Sequence, residues 1–279
     1  MRKKIMIAHS PDSDDAFMFY AFAAGKIDTR GYIFDHYLND IQSLNDDAET
    51  GRFEISAISI HAFPYIADKY ALMTCGASMG DNYGPMIVTR EPMDPDALSK
   101  ATVAVPGLRT SAYLALKLWN PHIKTVVMPF DRIMEVVEKG EIEAGLIIHE
   151  GQLTWKDRGL YSVINLGEWW YNLTDGLPLP LGGNVVRRDL GDKTMHELNN
   201  ILREAIRYAI EHKDEALTYA MKYAGEMDAQ RAGEFVSMYV NDLTIDYGKR
   251  GREAIRRFLS MASERGLVPE VPVELMMVP

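Results

Sequence analysis

The strongest constraint on the fold is a regular alternation of short apolar runs with segments of helical periodicity. The apolar runs are short, rich in β-branched residues and bounded by Gly, Pro, Asn or Asp. This alternation is typical of α/β architecture with largely parallel sheets. Strands are predicted at residues 4–8, 32–34, 53–58, 71–74, 85–89, 102–105, 125–128, 144–148 and 161–165.

The carboxyl-terminal part of the chain differs in kind, because its apolar residues recur almost entirely at helical spacing. Thr194 and Glu197 have the spacing of a capping box, which would start the first of these helices. The residues that follow place one apolar stripe on that helix. Further helices are predicted at residues 213–223, 229–239 and 251–263, in addition to 13–24 and 41–49 near the amino terminus.

Length and composition limit the classes of function. A chain of 279 residues fits two domains, and 47% hydrophobic with 25% charged residues is typical of a soluble globular protein. The net charge of -10 argues against nucleic acid as a partner. We see no membrane-length apolar run and no signal-peptide core, so we expect a cytoplasmic protein without a membrane partner. Composition leaves the oligomeric state open.

Two extended segments rich in Gly and Pro, residues 83–90 and 177–186, have the composition of a paired hinge. If both are hinges, residues 92–184 form an inserted lobe. Residues 1–91 and 185–279 then form the other lobe, with a ligand cleft between the two.

His149 is the most informative single residue, because it follows an apolar strand-like run. Asp131 can cap the preceding helix and Gly140 can end it. In open α/β sheets ligands bind at the carboxyl ends of parallel strands, so His149 is a candidate site residue. The alternative is a core or capping histidine bonded to a backbone carbonyl, and the local pattern leaves both interpretations open.

The loop after the first strand contains His9, Asp12, Asp14 and Asp15, which could be read as metal ligands. The glycine and distal glutamate of a calcium loop are missing, so we do not predict a metal. A simpler interpretation is that Ser13 or Asp14 caps the next helix, while the negative charge of Asp15 interacts favourably with the helix dipole.

Hydroxyl side chains follow two other predicted strands. Ser59, and Thr110 with Ser111, could cap the helices that follow or hold an anionic ligand oxygen through hydroxyls and amides. Together they suggest a clamp for a small carboxylate. The single cysteine, Cys75, excludes an internal disulfide and is predicted to be a buried apolar residue rather than a nucleophile.

Several motifs together resemble the family of 1,4-dihydroxy-6-naphthoate synthases of the futalosine route to menaquinone. They are Ser-Pro-x-x-x-Asp-x-Phe-x-Phe-Tyr-Ala at 10–21, Val-Pro-Gly at 105–107 with Thr-Ser-Ala-Tyr at 110–113, Asp-Arg-Ile at 131–133, Glu-Ala-Gly-Leu-Ile-Ile-His-Glu at 143–150, and Gly-Leu-Pro-Leu-Pro-Leu-Gly at 176–182. The resemblance implies the two-lobed α/β fold of type II periplasmic binding proteins, with a two-strand hinge and a mixed, mostly parallel sheet flanked by helices in each lobe.

The resemblance also implies a lyase that converts cyclic dehypoxanthine futalosine to 1,4-dihydroxy-6-naphthoate, without organic cofactor or metal. His149 would be the proton acceptor, a role that suits an imidazole with its ordinary pKa of ~6.5. The segment Ala57, Ile58, Ser59 and the pair Thr110, Ser111 would bind the substrate.

The chain departs from the family pattern at two places. Ser111 stands where a second threonine is frequent, which keeps the hydroxyl, and Asp14-Asp15 replaces an Asn-Asp pair. The second change leaves the role of the first loop open. Two alternatives remain at this point: an enzyme similar to chorismate dehydratase, and a non-catalytic binding protein for a small carboxylate.

Overall fold

The computed structural model describes residues 3–224, 227–272 and 276–278, and its chain divides into two compact units. The second unit is Gly80–Leu179, and the first comprises the residues up to Met79 and from Pro180 onward. The sequence placed the inserted part at 92–184. The extended segment 83–90 thus lies inside the second unit, because Met86–Thr89 pairs with two other strands of that unit.

In the residues that the structure describes, eleven strands form two sheets. In chain order they are β1 (Lys3–His9), β2 (Tyr32–Leu38), β3 (Ile55–Ser59), β4 (Tyr70–Leu72), β5 (Ser78–Gly80), β6 (Met86–Thr89), β7 (Thr102–Val105), β8 (Lys124–Val127), β9 (Ala144–Ile147), β10 (Tyr161–Asn165) and β11 (Leu179–Arg187). Each of the nine predicted strands is confirmed to within a few residues. β5 was not predicted, and β11 lies in the segment read as a hinge.

The α-helices in the described part of the chain are α1 (Ser13–Met18), α2 (Tyr20–Ala23), α3 (Ile41–Glu49), α4 (Ser111–Trp119), α5 (Phe130–Glu138), α6 (Gly151–Thr154), α7 (Leu166–Leu173), α8 (Asp192–Glu211), α9 (Lys213–Ala220), α10 (Ala229–Tyr239), α11 (Asp242–Ile245) and α12 (Gly248–Glu264). The predicted helix at 13–24 is therefore interrupted at Phe19, and α7 was not predicted. None of the described helices has the length and apolar character needed to span a membrane.

The sheet of the first unit has the order β2-β1-β3-β11-β4, and β5 pairs with β11 outside this path. β1 runs parallel to β2 and β3, whereas β11 runs antiparallel to β3 and β4. α8 covers this sheet with the predicted apolar stripe, and its buried residues include Leu198, Ile201, Leu202, Ala205, Ile206 and Ala209.

The sheet of the second unit has the order β10-β6-β9-β7-β8. β7 runs parallel to β8 and β9, and β6 runs antiparallel to β9 and β10. α5 packs on this sheet through the buried residues Ile133 and Val137, which belong to one cluster with Val88, Ala104 and Ile147.

Both sheets are mixed and flanked by helices, as predicted, but the expectation that they are mostly parallel overstates the parallel share. The second sheet contains two parallel and two antiparallel strand pairs. The reason is that a fully buried strand has the same apolar pattern in either direction. Only its pairing partners, which lie far away in sequence, decide whether it runs parallel.

The start of α8 differs from the predicted capping box. The helix begins at Asp192 after Gly191, which has φ 79°, and no side chain caps it. The carboxylate of Glu197 accepts a hydrogen bond from the Tyr32 hydroxyl at 2.7 Å instead of capping Thr194. The Glu197 side chain, which its spacing from Thr194 assigned to the helix cap, is thus used in a contact with a residue far away in sequence.

Candidate functional site

His149 lies two residues beyond β9, a strand that is buried along its whole length. Its backbone is left-handed, with φ 51°, and the amide of Gln152 donates to its carbonyl at 3.1 Å. A left-handed conformation costs a non-glycine residue roughly 1–2 kcal/mol. Such strain is concentrated at functional sites, and here it makes a sharp turn between a strand and α6. The predicted position at a strand's carboxyl end is confirmed.

His149 is half-buried, so it is not a residue of the hydrophobic core. Its ring meets the ring of Phe130 edge to face, with centroids 5.0 Å apart and an angle of 60° between the planes. Phe130 is the first residue of α5, and Pro129 rather than the predicted Asp131 precedes that helix. The aromatic contact restricts the orientations open to the imidazole. Gly140, with φ 71°, follows the end of α5 as predicted.

Ala57, Ile58 and Ser59 form the carboxyl-terminal part of β3 and are buried. They pair with Asn184, Gly183 and Gly182 of β11. Ser59 precedes a short 3-10 turn, Ile60–Tyr65, and its side chain makes no capping bond to it. The prediction that Ser59 caps a helix is therefore wrong, because the following turn is too tight to be an α-helix.

Asn45, which was not predicted as a site residue, holds Ser59 through two hydrogen bonds. The Ser59 amide donates to Asn45 Oδ1 at 2.8 Å, and Asn45 Nδ2 donates to Ser59 Oγ at 3.2 Å. The amide proton of Ser59 is therefore already bonded within the protein. A sequence signal for Asn45 was available, because this polar residue shares the buried face of α3 with the apolar residues Leu44 and Ala48.

Thr110 and Ser111 are buried at the start of α4, as predicted. The Thr110 hydroxyl accepts a hydrogen bond from the amide of Tyr113 at 3.2 Å and donates to the carbonyl of Gly107 at 2.9 Å. Thr110 is thus confirmed as the cap of α4. Its hydroxyl proton is directed to Gly107, so toward a ligand this hydroxyl would act as an acceptor.

Substituting Thr110 by valine is expected to lower the free energy of unfolding by about 1 kcal/mol through loss of the cap. Thr110→Ser keeps both hydrogen bonds and should unfold near the wild-type denaturant midpoint. Chemical denaturation of the three proteins measures the difference. A valine variant that unfolds like the wild type while binding substrate less tightly would show that the hydroxyl acts on the ligand and contributes little as a cap.

The first loop is organised by Asp15. Its Oδ2 accepts from the amide of Ser10 at 2.9 Å and from the Ser10 hydroxyl at 2.8 Å. α1 is preceded by Asp12, and no side chain caps it, so the predicted cap by Ser13 or Asp14 is wrong. The described residues contain no group of three or more His, Cys, Asp or Glu side chains arranged to hold a metal ion.

His9 and His36 form a pair beside this loop. His9 Nε2 lies 3.0 Å from His36 Nδ1, and His9 Nδ1 lies 2.9 Å from the Ser10 carbonyl oxygen. A carbonyl can only accept, so Nδ1 of His9 carries a proton and Nε2 accepts from His36. Burial lowers the pKa of each imidazole to about 4.

The stability of the protein should fall on acidification because of His9, which is 5% exposed. The unfolded imidazole has a pKa of ~6.5, above the folded value, so the unfolded chain binds more protons in acid. The contribution of His9 to the free energy of unfolding is fully present above pH ~6.5, and it is lost progressively as the pH falls toward 4. Melting temperatures between pH 7 and pH 4 should show a shallower decline for His9→Gln than for the wild type. His122→Gln, at an exposed position, should retain the wild-type slope.

Cys75 is fully buried, and its Sγ lies 3.4 Å from the Asn199 carbonyl oxygen. Burial raises the pKa of this thiol to about 12, which keeps it protonated at neutral pH. The prediction of a buried apolar cysteine is confirmed.

Comparison with protein families and curated proteins gives a consistent result. A family model described as menaquinone biosynthesis matches residues 5–264. A 1,4-dihydroxy-6-naphthoate synthase of Thermus thermophilus is 37% identical over 268 residues, covering 96% of this chain and 97% of that protein. The enzyme of the same name from Streptomyces coelicolor is 38% identical over 271 residues, covering 95% of each chain.

Solved structures agree on the fold. A crystal structure of a protein from Archaeoglobus fulgidus superposes with a TM-score of 0.91 at 45% identity, covering 95% of this chain and 98% of that one. A Candida albicans protein described as having the generic periplasmic binding protein fold superposes with a TM-score of 0.69 at 12% identity, covering 98% and 93% of the two chains. The second likeness concerns the fold alone, and it confirms the predicted periplasmic-binding-protein-like architecture.

Proposed function

The chain belongs to the menaquinone biosynthesis family, and on that premise we propose that it is a 1,4-dihydroxy-6-naphthoate synthase with His149 as its general base. The observation that carries the assignment of the base is the turn at His149. A buried strand ends there, the backbone is left-handed, and the imidazole remains half-buried. A rigid strand followed by a strained turn is a good support for a residue that must be held in one place.

The proposed substrate is cyclic dehypoxanthine futalosine, and the reaction is a carbon-carbon cleavage. The imidazole of His149 takes a proton from a carbon beside a carbonyl, and the electron pair of the broken C–H bond passes into the carbonyl system. Cleavage of the neighbouring carbon-carbon bond then releases a sugar-derived fragment, and a proton returned from His149 or from water quenches the charge left by the electron pair of that bond. Aromatisation of the ring that remains supplies the driving force. General base catalysis by a positioned side chain contributes typically ~10²–10⁴ in rate.

Five further residues are proposed to bind the substrate: Ala57, Ile58, Ser59, Thr110 and Ser111. Their support comes from position and burial. The first three lie at the carboxyl end of β3, which runs parallel to β1, and such strand ends are where α/β sheets bind ligands. The other two lie at the start of α4, directly after the turn that follows β7.

The decisive experiment is incubation of the purified protein with cyclic dehypoxanthine futalosine, followed by mass spectrometry for 1,4-dihydroxy-6-naphthoate. We expect product from the wild type and almost none from a His149 variant. Tight binding of the substrate without any product would instead favour a solute-binding protein, the function that the fold alone suggests. Conversion of chorismate in a parallel incubation would favour the sister enzyme.

A further inference from the structure

We propose that Asn45 is a positioning residue that directs the Ser59 hydroxyl proton toward a carboxylate oxygen of the ligand. This inference rests on the proposed function, since it takes Ser59 as a substrate-binding residue. It specifies the direction of the hydrogen bond between Ser59 and the ligand. Ser59 is the donor, and the ligand group that it selects is an anionic acceptor.

The orientation of the Asn45 amide is determined by its partner. A backbone N–H can only donate, so the Asn45 atom 2.8 Å from the Ser59 nitrogen must be the carbonyl oxygen, Oδ1. The amide nitrogen Nδ2 then faces Ser59 Oγ at 3.2 Å. Because an amide nitrogen can only donate, Ser59 Oγ is the acceptor in this bond.

The hydroxyl proton of Ser59 therefore points elsewhere. Within the described part of the chain, the structure gives this proton no acceptor, and Ser59 is only 4% exposed. A buried donor without a partner is unfavourable, which makes the site receptive to a ligand oxygen. An ionised oxygen is preferred, because hydrogen bonds to charged acceptors are about twice as strong as neutral ones.

Asn45 is well placed to enforce this direction because it cannot easily move. It is 1% exposed and follows Leu44, which is completely buried in α3. The helix is fixed at its start by Asp40, whose Oδ1 accepts from the Ser43 amide at 3.1 Å. A small carboxylate is therefore expected to meet a preset donor at Ser59.

The test is the variant Asn45→Asp, which has nearly the same shape and reverses the hydrogen bond. In the ionised form, which the titrations at alkaline pH favour, one carboxylate oxygen accepts from the Ser59 amide and the other can only accept, so the Ser59 hydroxyl turns toward it. The probes are 1,4-dihydroxy-6-naphthoate, which is not turned over, and its 6-carboxamide analogue. Calorimetric titration should show the variant binding the naphthoate about 10-fold or more weakly, and losing the preference for acid over amide.

Three controls separate positioning from charge and folding. Gln42→Glu makes the same change from amide to acid on α3, where Gln42 bonds Asp46, and should leave naphthoate affinity within about 2-fold. In a Ser59→Ala background, Asn45→Asp should have little further effect, whereas simple charge repulsion would persist. Asn45→Ala removes both bonds without adding charge, and any loss of affinity that it causes should also vanish in the Ser59→Ala background.

Unchanged acid preference in Asn45→Asp, or an undiminished effect in the Ser59→Ala background, would overturn the inference. If Asn45→Asp does not fold, Asn45→Ala is compared with the wild type in the presence and absence of Ser59→Ala, and the same outcomes decide. Because the titrations use the product, they do not depend on turnover. Failure of the wild type to form product would contradict the proposed function alone, and failure of the wild type to bind the naphthoate would contradict both.

Discussion

Replacing His149 by asparagine is expected to reduce turnover of cyclic dehypoxanthine futalosine at least ~100-fold while leaving the protein folded. Asparagine lacks a group that is basic at neutral pH, yet it tolerates the left-handed backbone that His149 adopts, with φ 51°. The variant therefore removes the base without releasing the turn. Single-turnover product formation and the melting temperature together measure the two effects.

His149→Ala is the matched control for the backbone. Alanine disfavours the left-handed region, so this variant should melt at a lower temperature than His149→Asn while losing turnover to the same extent. Substrate affinity should be largely retained in both. Turnover near the wild-type rate in the asparagine variant would remove His149 from the mechanism, whatever its melting temperature.

Gly167→Ala is expected to destabilise the protein by about 3 kcal/mol or more, although it lies in a helix where alanine is intrinsically favoured. Gly167 is in the first turn of α7, and a Cβ there would overlap the Tyr83 carbonyl oxygen and come within 2.6 Å of the Gly84 nitrogen. Because these neighbours are backbone atoms, relief requires a shift of the chain. Denaturant unfolding measures the loss.

The control is Gly233→Ala in α10, where the nearest atom to a new Cβ is the Leu217 Cδ2 at 3.3 Å. That atom ends a flexible side chain and can move, so helix propensity should make this variant neutral or up to ~1 kcal/mol more stable. Similar stabilities for the two variants would contradict the close backbone approach at Gly167.

Patterns local in sequence predicted much of the secondary structure. The helix at 41–49 and the strand at 161–165 have the predicted bounds, because apolar periodicity and nearby Gly, Asn and Asp act over a few residues. α7 was missed, although Asn165 caps it by accepting from Gly167 at 2.9 Å, because its aromatic run has no clear polar face. Position at the ends of predicted strands singled out His149, Ser59, Thr110 and Ser111, and the family likeness added Ala57 and Ile58 and gave these residues their roles.

The sequence by itself determined the class of fold, the position of His149 after a buried strand, the cap at Thr110 and the burial of Cys75. Each of these depends on a residue and its near neighbours. The tertiary structure decided the direction of β11, the hydrogen-bond partner of Glu197, and the hydrogen bonds between Asn45 and Ser59. These depend on groups that are distant along the chain, and hydrogen-bond geometry selects them only once packing has brought them together.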